Sequence, residues 1–341
     1  MNIDDFRNYT LENRIPFAAS IELTQKCNFR CKHCYCDDIK NEMSTNEIFT
    51  ILDKLYVANV LMLTFTGGEA FLRKDFVDIY MYAKEKGFIV SIMTNLSLLN
   101  RKTMRTLAEY RPRELMVTLY GGNEKEYYKN TGSRNSYNRI VRNLRILHKY
   151  NIKFMLKVIL KKDTFHSGVV KRKFDALAEE YGTSIFYDSI IFPKKDYSKD
   201  PISQRLDIND IINFEFSKEG MRSEWHKAVN NKSNSPALIC TGGNNSLSIN
   251  SKGIANICTL FVENGISILN NEFSVVWHNL KITQNKLQDY YQTSECYDCS
   301  LKSICRWCPA YSKLENDTYT EKIDFFCNLA KSRVEKYGKN Q

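Results

Sequence analysis

Apolar runs of strand length alternate with helix-length periodic segments from residue 18 to residue 190. The helix-length segments span 45–57, 74–86, 101–109, 137–150 and 168–180, and STNE at 44–47 has the pattern of a helix capping box. Six βα units in a row predict parallel strands, as either an open doubly wound sheet or a barrel. The predicted strands are AASIELT (18–24), LMLTFT (61–66), FIVSIMT (88–94), ELMVTLY (114–120), IKFMLKVIL (152–160) and SIFYDSII (184–191).

The chain changes character after the last predicted strand. Residues 200–235 are polar and helical in pattern, and NNKSNSP at 230–236 has the composition of a linker. Seven cysteines follow the linker, in a segment of about 90 residues. We therefore expect an N-terminal extension (1–17), a barrel-like α/β domain (18–195), a helical bridge (196–235) and a small cysteine-rich α+β domain (236–341).

The composition is that of a folded globular protein. The 341 residues are 43% hydrophobic and 26% charged, with only 14 Gly and 6 Pro, which argues against disorder. No apolar stretch approaches the roughly 20 residues of a membrane helix, and the N-terminus lacks the features of a signal peptide. We expect a cytoplasmic protein without a membrane partner. The net charge of +10 comes partly from short runs such as Lys161-Lys162 and Lys194-Lys195, which we interpret as solvated faces rather than as a nucleic-acid or acidic-peptide surface.

The eleven cysteines form three groups, at 27–36, 240–258 and 296–327. An odd number, clustered in a long chain without a signal peptide, favours metal or redox chemistry over a disulfide scaffold. In the first group, Cys27, Cys31 and Cys34 are separated by three and two residues, a spacing that lets one loop wrap a face of a cubane iron-sulfur cluster. Cys36 is a candidate fourth ligand, which would close the cluster.

Two further motifs follow the second and third predicted strands. TGGE occupies 66–69 and TN occupies 94–95. Because ligands gather at the carboxyl ends of parallel strands, we expect both motifs to converge on the first cysteine group.

Together these motifs resemble the radical S-adenosylmethionine (SAM) superfamily, whose signature is the same three-cysteine spacing after the first strand of a partial TIM-like (β/α)6 barrel. The resemblance implies that Cys27, Cys31 and Cys34 hold three irons of a 4Fe-4S cluster, that SAM chelates the fourth, and that Cys36 stays outside. An external electron donor such as flavodoxin or ferredoxin would reduce the cluster, and a 5'-deoxyadenosyl radical would then remove hydrogen from the substrate.

The resemblance also assigns residues to SAM. In TNLSLL, Leu96 stands where the family usually has glycine. Lys157 would pair with the SAM carboxylate, or would simply be a lysine stem crossing the barrel rim. The implied SAM contacts are Gly67 and Gly68 with the methionine moiety, Glu69 with its ammonium group, Thr94 and Asn95 near the ribose, Thr118 and Lys157 on later strands, and His33 beside the adenine.

The remaining cysteines flank a predicted β-hairpin and two C-x-x-C pairs. LSI and the SKG turn should bring Cys240 and Cys258 together. CYDCSLKSICRWC supplies four further cysteines, and Cys327 follows. Zinc would also suit paired C-x-x-C motifs, but seven cysteines and a five-residue separation of the pairs fit it poorly.

The order of these cysteines around Gly253 resembles the SPASM extension of many radical SAM enzymes, which holds two auxiliary four-iron clusters. The resemblance implies three 4Fe-4S clusters in the whole protein. The first auxiliary cluster would use Cys240, Cys258 and Cys308, and the second Cys296, Cys299, Cys305 and Cys327.

SPASM enzymes act mostly on peptides and proteins, so the resemblance implies a maturase that crosslinks, oxidises or epimerises a ribosomally synthesised peptide. About 17 residues precede the first strand, so a leader peptide would bind the barrel directly or through a separate protein. A sulfatase-maturating enzyme is disfavoured, because Thr259 stands where that family usually carries Asp. A small-molecule radical dehydrogenase would fit the same motifs, and outside enzymes so would a metal-cluster RNA-binding module.

Overall fold

The computed structural model describes residues 3–36, 42–165, 169–230 and 240–338. Within these ranges the centre of the molecule is one nine-stranded sheet. Its strands are β1 (Ala18–Thr24), β2 (Met62–Gly67), β3 (Ile89–Thr94), β4 (Glu114–Leu119), β5 (Phe154–Ile159), β6 (Ile185–Asp188), β7 (Ser246–Ile249), β8 (Ile254–Asn256) and β9 (Ile266–Ser267).

The described helices connect these strands and cover one end of the sheet. Two short 3-10 helices lie at Ala70–Leu72 and Asp200–Gln204. The α-helices are α1 (Ile3–Glu12), α2 (Thr45–Val57), α3 (Phe76–Glu85), α4 (Arg101–Glu109), α5 (Glu124–Thr131), α6 (Ser136–Lys149), α7 (Lys162–Phe165), α8 (Val169–Glu180), α9 (Ile208–Ser217), α10 (Glu219–Asn230), α11 (Phe273–Gln292), α12 (Pro309–Asn316) and α13 (Asp324–Tyr337).

The strand order resolves the choice between an open doubly wound sheet and a barrel. The order is β6-β5-β4-β3-β2-β1-β7-β8-β9, and neighbouring strands from β1 to β6 are parallel. Crossovers between parallel strands are right-handed, so strands that follow one another in sequential order have all their connecting helices on the same face of the sheet. Strands β1 to β6 therefore form a partial barrel with the helices outside, rather than an open doubly wound sheet. The fold class predicted from the sequence is confirmed.

Side-chain burial along the strands shows where the core lies. On β4, Leu115, Val117 and Leu119 are buried against the helices, whereas Met116 and Thr118 on the other face are half-buried. This alternation is the two-residue period of a strand with one face in the core. The second face lines the concave side of the partial barrel, where the motif residues lie.

The predicted elements correspond closely to the observed ones. Ser44 caps α2, its side chain accepting from the Glu47 N–H while the Glu47 carboxylate accepts from the Ser44 N–H, so the capping box is confirmed. The helix α1 was not predicted. After α1 the chain lies against α11, where the Trp277 Nε1–H donates to the Arg14 carbonyl at 3.0 Å.

The cysteine-rich segment continues the same sheet. Strands β7 and β8 are antiparallel, which confirms the predicted hairpin, and β7 pairs in parallel with β1. The sequence suggested a separate domain beginning near 235, but residues 231–236 of the linker lie outside the described residues. None of the helices in the described ranges has the length and apolar character needed to cross a membrane.

Candidate functional site

Glu69 ties together the carboxyl ends of the second and third strands. Its side chain is fully buried and accepts hydrogen bonds from the Thr94 hydroxyl at 2.7 Å, the Asn95 N–H at 2.7 Å and the Phe71 N–H at 3.0 Å. Burial raises the pKa of Glu69, and these three bonds oppose the rise. A carboxylate has about four acceptor positions, so one remains for the SAM ammonium group that the resemblance assigns to it.

Gly67 and Gly68 allow a close approach between two segments of the chain itself. A Cβ at Gly67, whose φ is +125°, would lie 2.1 Å from the Thr24 carbonyl oxygen, and one at Gly68 would lie 2.4 Å from that of Lys26. The Gly68 N–H donates to the Thr24 carbonyl at 2.7 Å, and the Glu69 N–H donates to that of Lys26 at 3.0 Å. The TGGE segment is therefore hydrogen-bonded to the start of the cysteine loop.

The cysteine loop contacts the TN motif through Cys27. Its Sγ accepts from the Phe29 N–H at 3.4 Å and lies 3.8 Å from the Asn95 Nδ2. Burial raises the pKa of Cys27 to about 11 and raises that of Cys31 further, so both ordinarily remain thiols in the absence of a nearby positive charge. Iron would supply that charge, since a thiolate is the ligand form.

Cys36 is a hydrogen-bond partner of Cys34. The bond from the Cys36 thiol, helped by the charges of Lys195 and Lys194, lowers the pKa of Cys34 to about 7. The same bond and burial raise the pKa of Cys36 well above its usual range. The bond between the two side chains thus stabilises the thiolate form of Cys34 and the thiol form of Cys36.

His33, Thr118 and Lys157 lie at or near the concave face. Thr118 and Lys157 are register partners on β4 and β5, and the Lys157 Nζ lies 3.2 Å from the Asp188 carboxylate. Burial and two nearby lysines lower the pKa of His33 to about 3, so its ring is neutral at pH 7. Its Nδ1 is buried and has no hydrogen-bond partner among the described residues. An orphaned ring nitrogen beside the cysteine loop fits a missing flat, polar group such as adenine.

Leu96 adopts the backbone geometry that glycine would have adopted in the family motif. Its φ is +61°, its side chain is fully buried, and its carbonyl accepts from the Asn143 Nδ2 at 2.8 Å. The left-handed conformation costs a branched residue about 1–2 kcal/mol, which the buried leucine side chain offsets.

All seven C-terminal cysteines line one cavity of about 790 Å³. Burial first, and then the neighbouring Cys327, Cys305 and Cys299, raise the pKa of Cys296 to about 12. Burial and the neighbouring Cys258 and Cys240 likewise raise the pKa of Cys308. The thiols thus fall into two neighbourhoods: Cys240, Cys258 and Cys308 form one, and Cys296, Cys299, Cys305 and Cys327 form the other.

These neighbourhoods coincide with the two ligand sets that the SPASM resemblance implies, and their cavity offers space for a group larger than a single ion. All eleven cysteines lie in the described ranges and carry free thiols. No three Cys, His, Asp or Glu side chains of the described residues converge on a position for a single metal ion. The iron-sulfur ligand sets remain predictions that these residues fit.

A buried ion pair that the sequence did not reveal joins β1 to the segment that follows β6. The Lys195 Nζ lies 2.5 Å from the Glu22 Oε1, and the second Glu22 oxygen accepts from the Gln25 amide at 2.5 Å. The Lys195 N–H donates to the Tyr35 carbonyl at 3.1 Å, beside Cys34. Lys161 and Lys195 are both buried, so the interpretation of their runs as solvated faces is wrong for these two residues.

Comparisons with known proteins agree with this geometry. Residues 21–167 match the model of the Radical SAM superfamily. Among curated proteins, the chain is 29% identical over 174 residues to the Fe-coproporphyrin III synthase of Methanosarcina barkeri, covering 50% of this chain and 43% of that protein. It is 22% identical over 335 residues to the AdoMet-dependent heme synthase of the same organism, covering 90% of this chain and 95% of that protein. It is 24% identical over 156 residues to the PqqA peptide cyclase of Bradyrhizobium diazoefficiens, covering 45% of this chain and 41% of that protein.

Two solved structures share the fold over nearly the whole chain. Streptococcus suis SuiB bound to its precursor peptide SuiA superposes with a TM-score of 0.72 at 15% identity, covering 95% of this chain and 80% of that one. The protein anSMEcpe with AdoMet and the Kp18Cys peptide superposes with a TM-score of 0.70 at 14% identity, covering 94% of this chain and 96% of that one. The fold of this chain, from the partial barrel through the segment that carries its C-terminal cysteines, is therefore shared with known structures.

Proposed function

Because residues 21–167 match a radical SAM domain, we propose that this protein cleaves SAM reductively and abstracts a hydrogen atom from a peptide substrate. A bound 4Fe-4S cluster with SAM supplies the electron transfer and the radical chemistry. The convergence of the cysteine loop, TGGE and TN through the buried Glu69 is the observation that carries the proposal. Cys27, Cys31 and Cys34 would hold the cluster.

The chain's own residues position and shield the reactants. Glu69 accepts from the Thr94 hydroxyl and the Asn95 N–H, and Asn28 and Ser97 hold the Asn95 side chain, so this segment is preorganised at the strand ends. His33 stays neutral and would pack against the adenine. Thr118 and Lys157 project from the concave face, and Lys157, already paired with Asp188, would direct its remaining donors to the SAM carboxylate.

Support for a peptide substrate comes from the relatives. The PqqA peptide cyclase acts on a peptide by its name, and the SuiB and anSMEcpe structures contain peptides. A second candidate is a tetrapyrrole-modifying reaction, because the alignment with the heme synthase of Methanosarcina barkeri covers 90% of this chain.

The first experiment measures 5'-deoxyadenosine after anaerobic reconstitution with iron and sulfide, with SAM and dithionite added. We expect the wild-type protein to form it and Cys31→Ala to form none. Absence of the product from fully iron-loaded wild-type protein would refute the radical SAM activity and favour a binding module. Candidate peptides and coproporphyrin substrates are then compared by mass spectrometry for loss of hydrogen, which separates the two candidate substrates.

Iron counting tests the cofactor content. Three 4Fe-4S clusters require about 12 irons per chain. We expect the triple alanine variant of Cys27, Cys31 and Cys34 to retain about 8 irons, and the triple variant of Cys240, Cys258 and Cys308 to lose about 4. Zinc bound in the C-terminal sites after purification from iron-rich medium would contradict the auxiliary clusters.

A further inference from the structure

A small polar cavity lies beside Cys258, and Cys258 is the lining residue to which the function proposed above already gives a role. Its volume is about 200 Å³. Strand β1 contributes Glu22, the segment after β6 contributes Lys195, and Cys258 of the C-terminal group forms part of the wall. The other lining residues are Ser248, Asn250, Lys252, Asn256, Thr259 and Val262.

Donors outnumber free acceptors in the wall of this cavity, where the Asn256 Oδ1 is a buried acceptor without a partner among the described residues. The acceptor oxygens of Glu22 are occupied by Lys195 and Gln25, and the Asn250 Oδ1 accepts from the backbone N–H groups of Lys252 and Ile254. The ammonium groups of Lys195 and Lys252 have three hydrogens each. The hydroxyl groups of Ser248 and Thr259 lie 2.9 Å apart, so one of them donates to the other and the second keeps a free hydrogen.

The cavity also has an excess positive charge. Lys195 is neutralised by Glu22 at 2.5 Å. Lys252 is exposed at the rim, and no carboxylate among the described residues forms an ion pair with it. One uncompensated ammonium group above a donor-rich wall attracts an anionic acceptor.

The size of the cavity limits what enters it. A volume of 200 Å³ corresponds to roughly seven water molecules at about 30 Å³ each, below the ≈300–1,000 Å³ of pockets that enclose drug-sized ligands. One short acidic arm fits, whereas the body of a peptide or of a tetrapyrrole ring must remain outside.

We infer that this cavity is a subsite for a carboxylate arm of the substrate, with Lys252 as its principal charged contact. The carboxylate comes from an Asp or Glu side chain if the substrate is a peptide, or from a propionate if it is a tetrapyrrole. The inference rests on the proposed function in one respect: the molecule that carries the carboxylate is taken to be the substrate of that function. It adds the chemical group by which the substrate is oriented beside Cys258.

The test is a calorimetric titration of the iron-loaded protein with N-acetyl-L-glutamate, using N-acetyl-L-glutamine as the neutral probe of the same shape. We expect the glutamate probe to bind with a Kd on the order of millimolar and the glutamine probe to bind at least tenfold more weakly. Lys252→Gln should weaken glutamate binding about tenfold. Lys286→Gln, an exposed lysine on α11 outside the cavity, should leave it unchanged.

Thr259→Val provides a second variant inside the cavity and should weaken glutamate binding severalfold. Equal binding of the two probes, or equal affinity of the wild type and Lys252→Gln, would overturn the inference. Displacement of the glutamate probe by a glutamate-containing alanine peptide identifies a peptide source, and displacement by coproporphyrin III identifies a tetrapyrrole source. Displacement by neither overturns the substrate role. Because binding requires neither SAM nor reductant, a negative 5'-deoxyadenosine assay would refute the proposed activity without affecting this result.

Discussion

The strand-end site and the seven-cysteine cavity are organised by different forces. At the strand ends, Glu69, Thr94 and Asn95 satisfy one another through short hydrogen bonds, and the glycines are packed on backbone. In the cavity, thiols face about 790 Å³ of space together with aromatic residues such as Trp307 and Tyr311. The first region is preorganised by its own polar groups, whereas the thiols of the second line open space, and we expect a bound metal cluster to connect them.

Iron removal should separate the two regions most strongly. Structural metals contribute on the order of 10 kcal/mol to small metal-dependent domains, so the iron-free protein should lose hydrogen-exchange protection across residues 296–308 and α12. Strands β1 to β5 should remain protected because their hydrogen-bonded ladders contain no cysteine; Cys27 and Cys31 pack against the core only as partly buried side chains. The triple alanine variant of Cys27, Cys31 and Cys34 is the control, in which the C-terminal protection should persist. Equal loss of protection in both regions would refute the contrast.

Breaking the ion pair between Arg205 and Glu315 should weaken the contact between α12 and the segment that follows β6. The Arg205 guanidinium, nearly buried, donates to both Glu315 oxygens at 2.7 and 2.6 Å, and it lies 4.5 Å from the centre of the Phe325 ring. Arg205→Met should cost about 3–5 kcal/mol in urea unfolding, because it leaves a carboxylate without its partner. The double variant Arg205→Met/Glu315→Met should recover part of the loss. A double variant no more stable than the single one would mean that the aromatic contact dominates.

Glu69→Gln should damage the strand-end site while leaving the cysteine cavity intact. The Glu69 carboxylate accepts from three donors, and a glutamine side chain has only one oxygen with which to accept. Its NH2 group would face one of these donors, so the free energy of unfolding should fall by about 2–3 kcal/mol. Urea unfolding measures this cost, and iron content in the C-terminal sites should be unchanged. Glu109→Gln, exposed at the end of α4, should change stability by less than about 0.5 kcal/mol. A loss of C-terminal iron in Glu69→Gln would show that the two regions are not independent.

Cys36→Ala should have the smallest effect. Cys36 donates to Cys34 but is not needed as a ligand if SAM occupies the fourth iron, so iron content and 5'-deoxyadenosine yield should stay close to wild-type values. Iron per chain and product per chain are the measurements, with Cys34→Ala as the matched variant that should lose both. A Cys36→Ala protein that loses about four irons would identify a closed cluster instead.

Local pattern predicted much of the fold. The period of two along strands such as β4 and the capping box at Ser44 are determined by neighbouring residues, and the observed bounds follow the predicted ones closely. The βα alternation also predicted that the cysteine loop, TGGE and TN would meet, because parallel strands end at one edge.

Long-range pairings were not predictable in the same way. Glu22 and Lys195 are separated by 173 residues, and nothing local to either marks a buried partner. The three hydrogen bonds accepted by Glu69 were also missed, since the family pattern assigns this residue only to SAM. The pairing of β7 with β1 joins segments over 220 residues apart, for which a short strand of four residues carries little register information.

The position of β1 limits how freely this architecture can be recombined. Residues Ala18 to Ile21 pair with β2 on one side and with Ser246 to Ile249 on the other, and the same strand leads into the cysteine loop. A chimaera that receives a cysteine-rich extension from another enzyme must therefore reproduce this register, or the transplanted hairpin will displace the loop it is meant to serve. Successful exchange of the extension thus requires that the strand which receives it be exchanged as well.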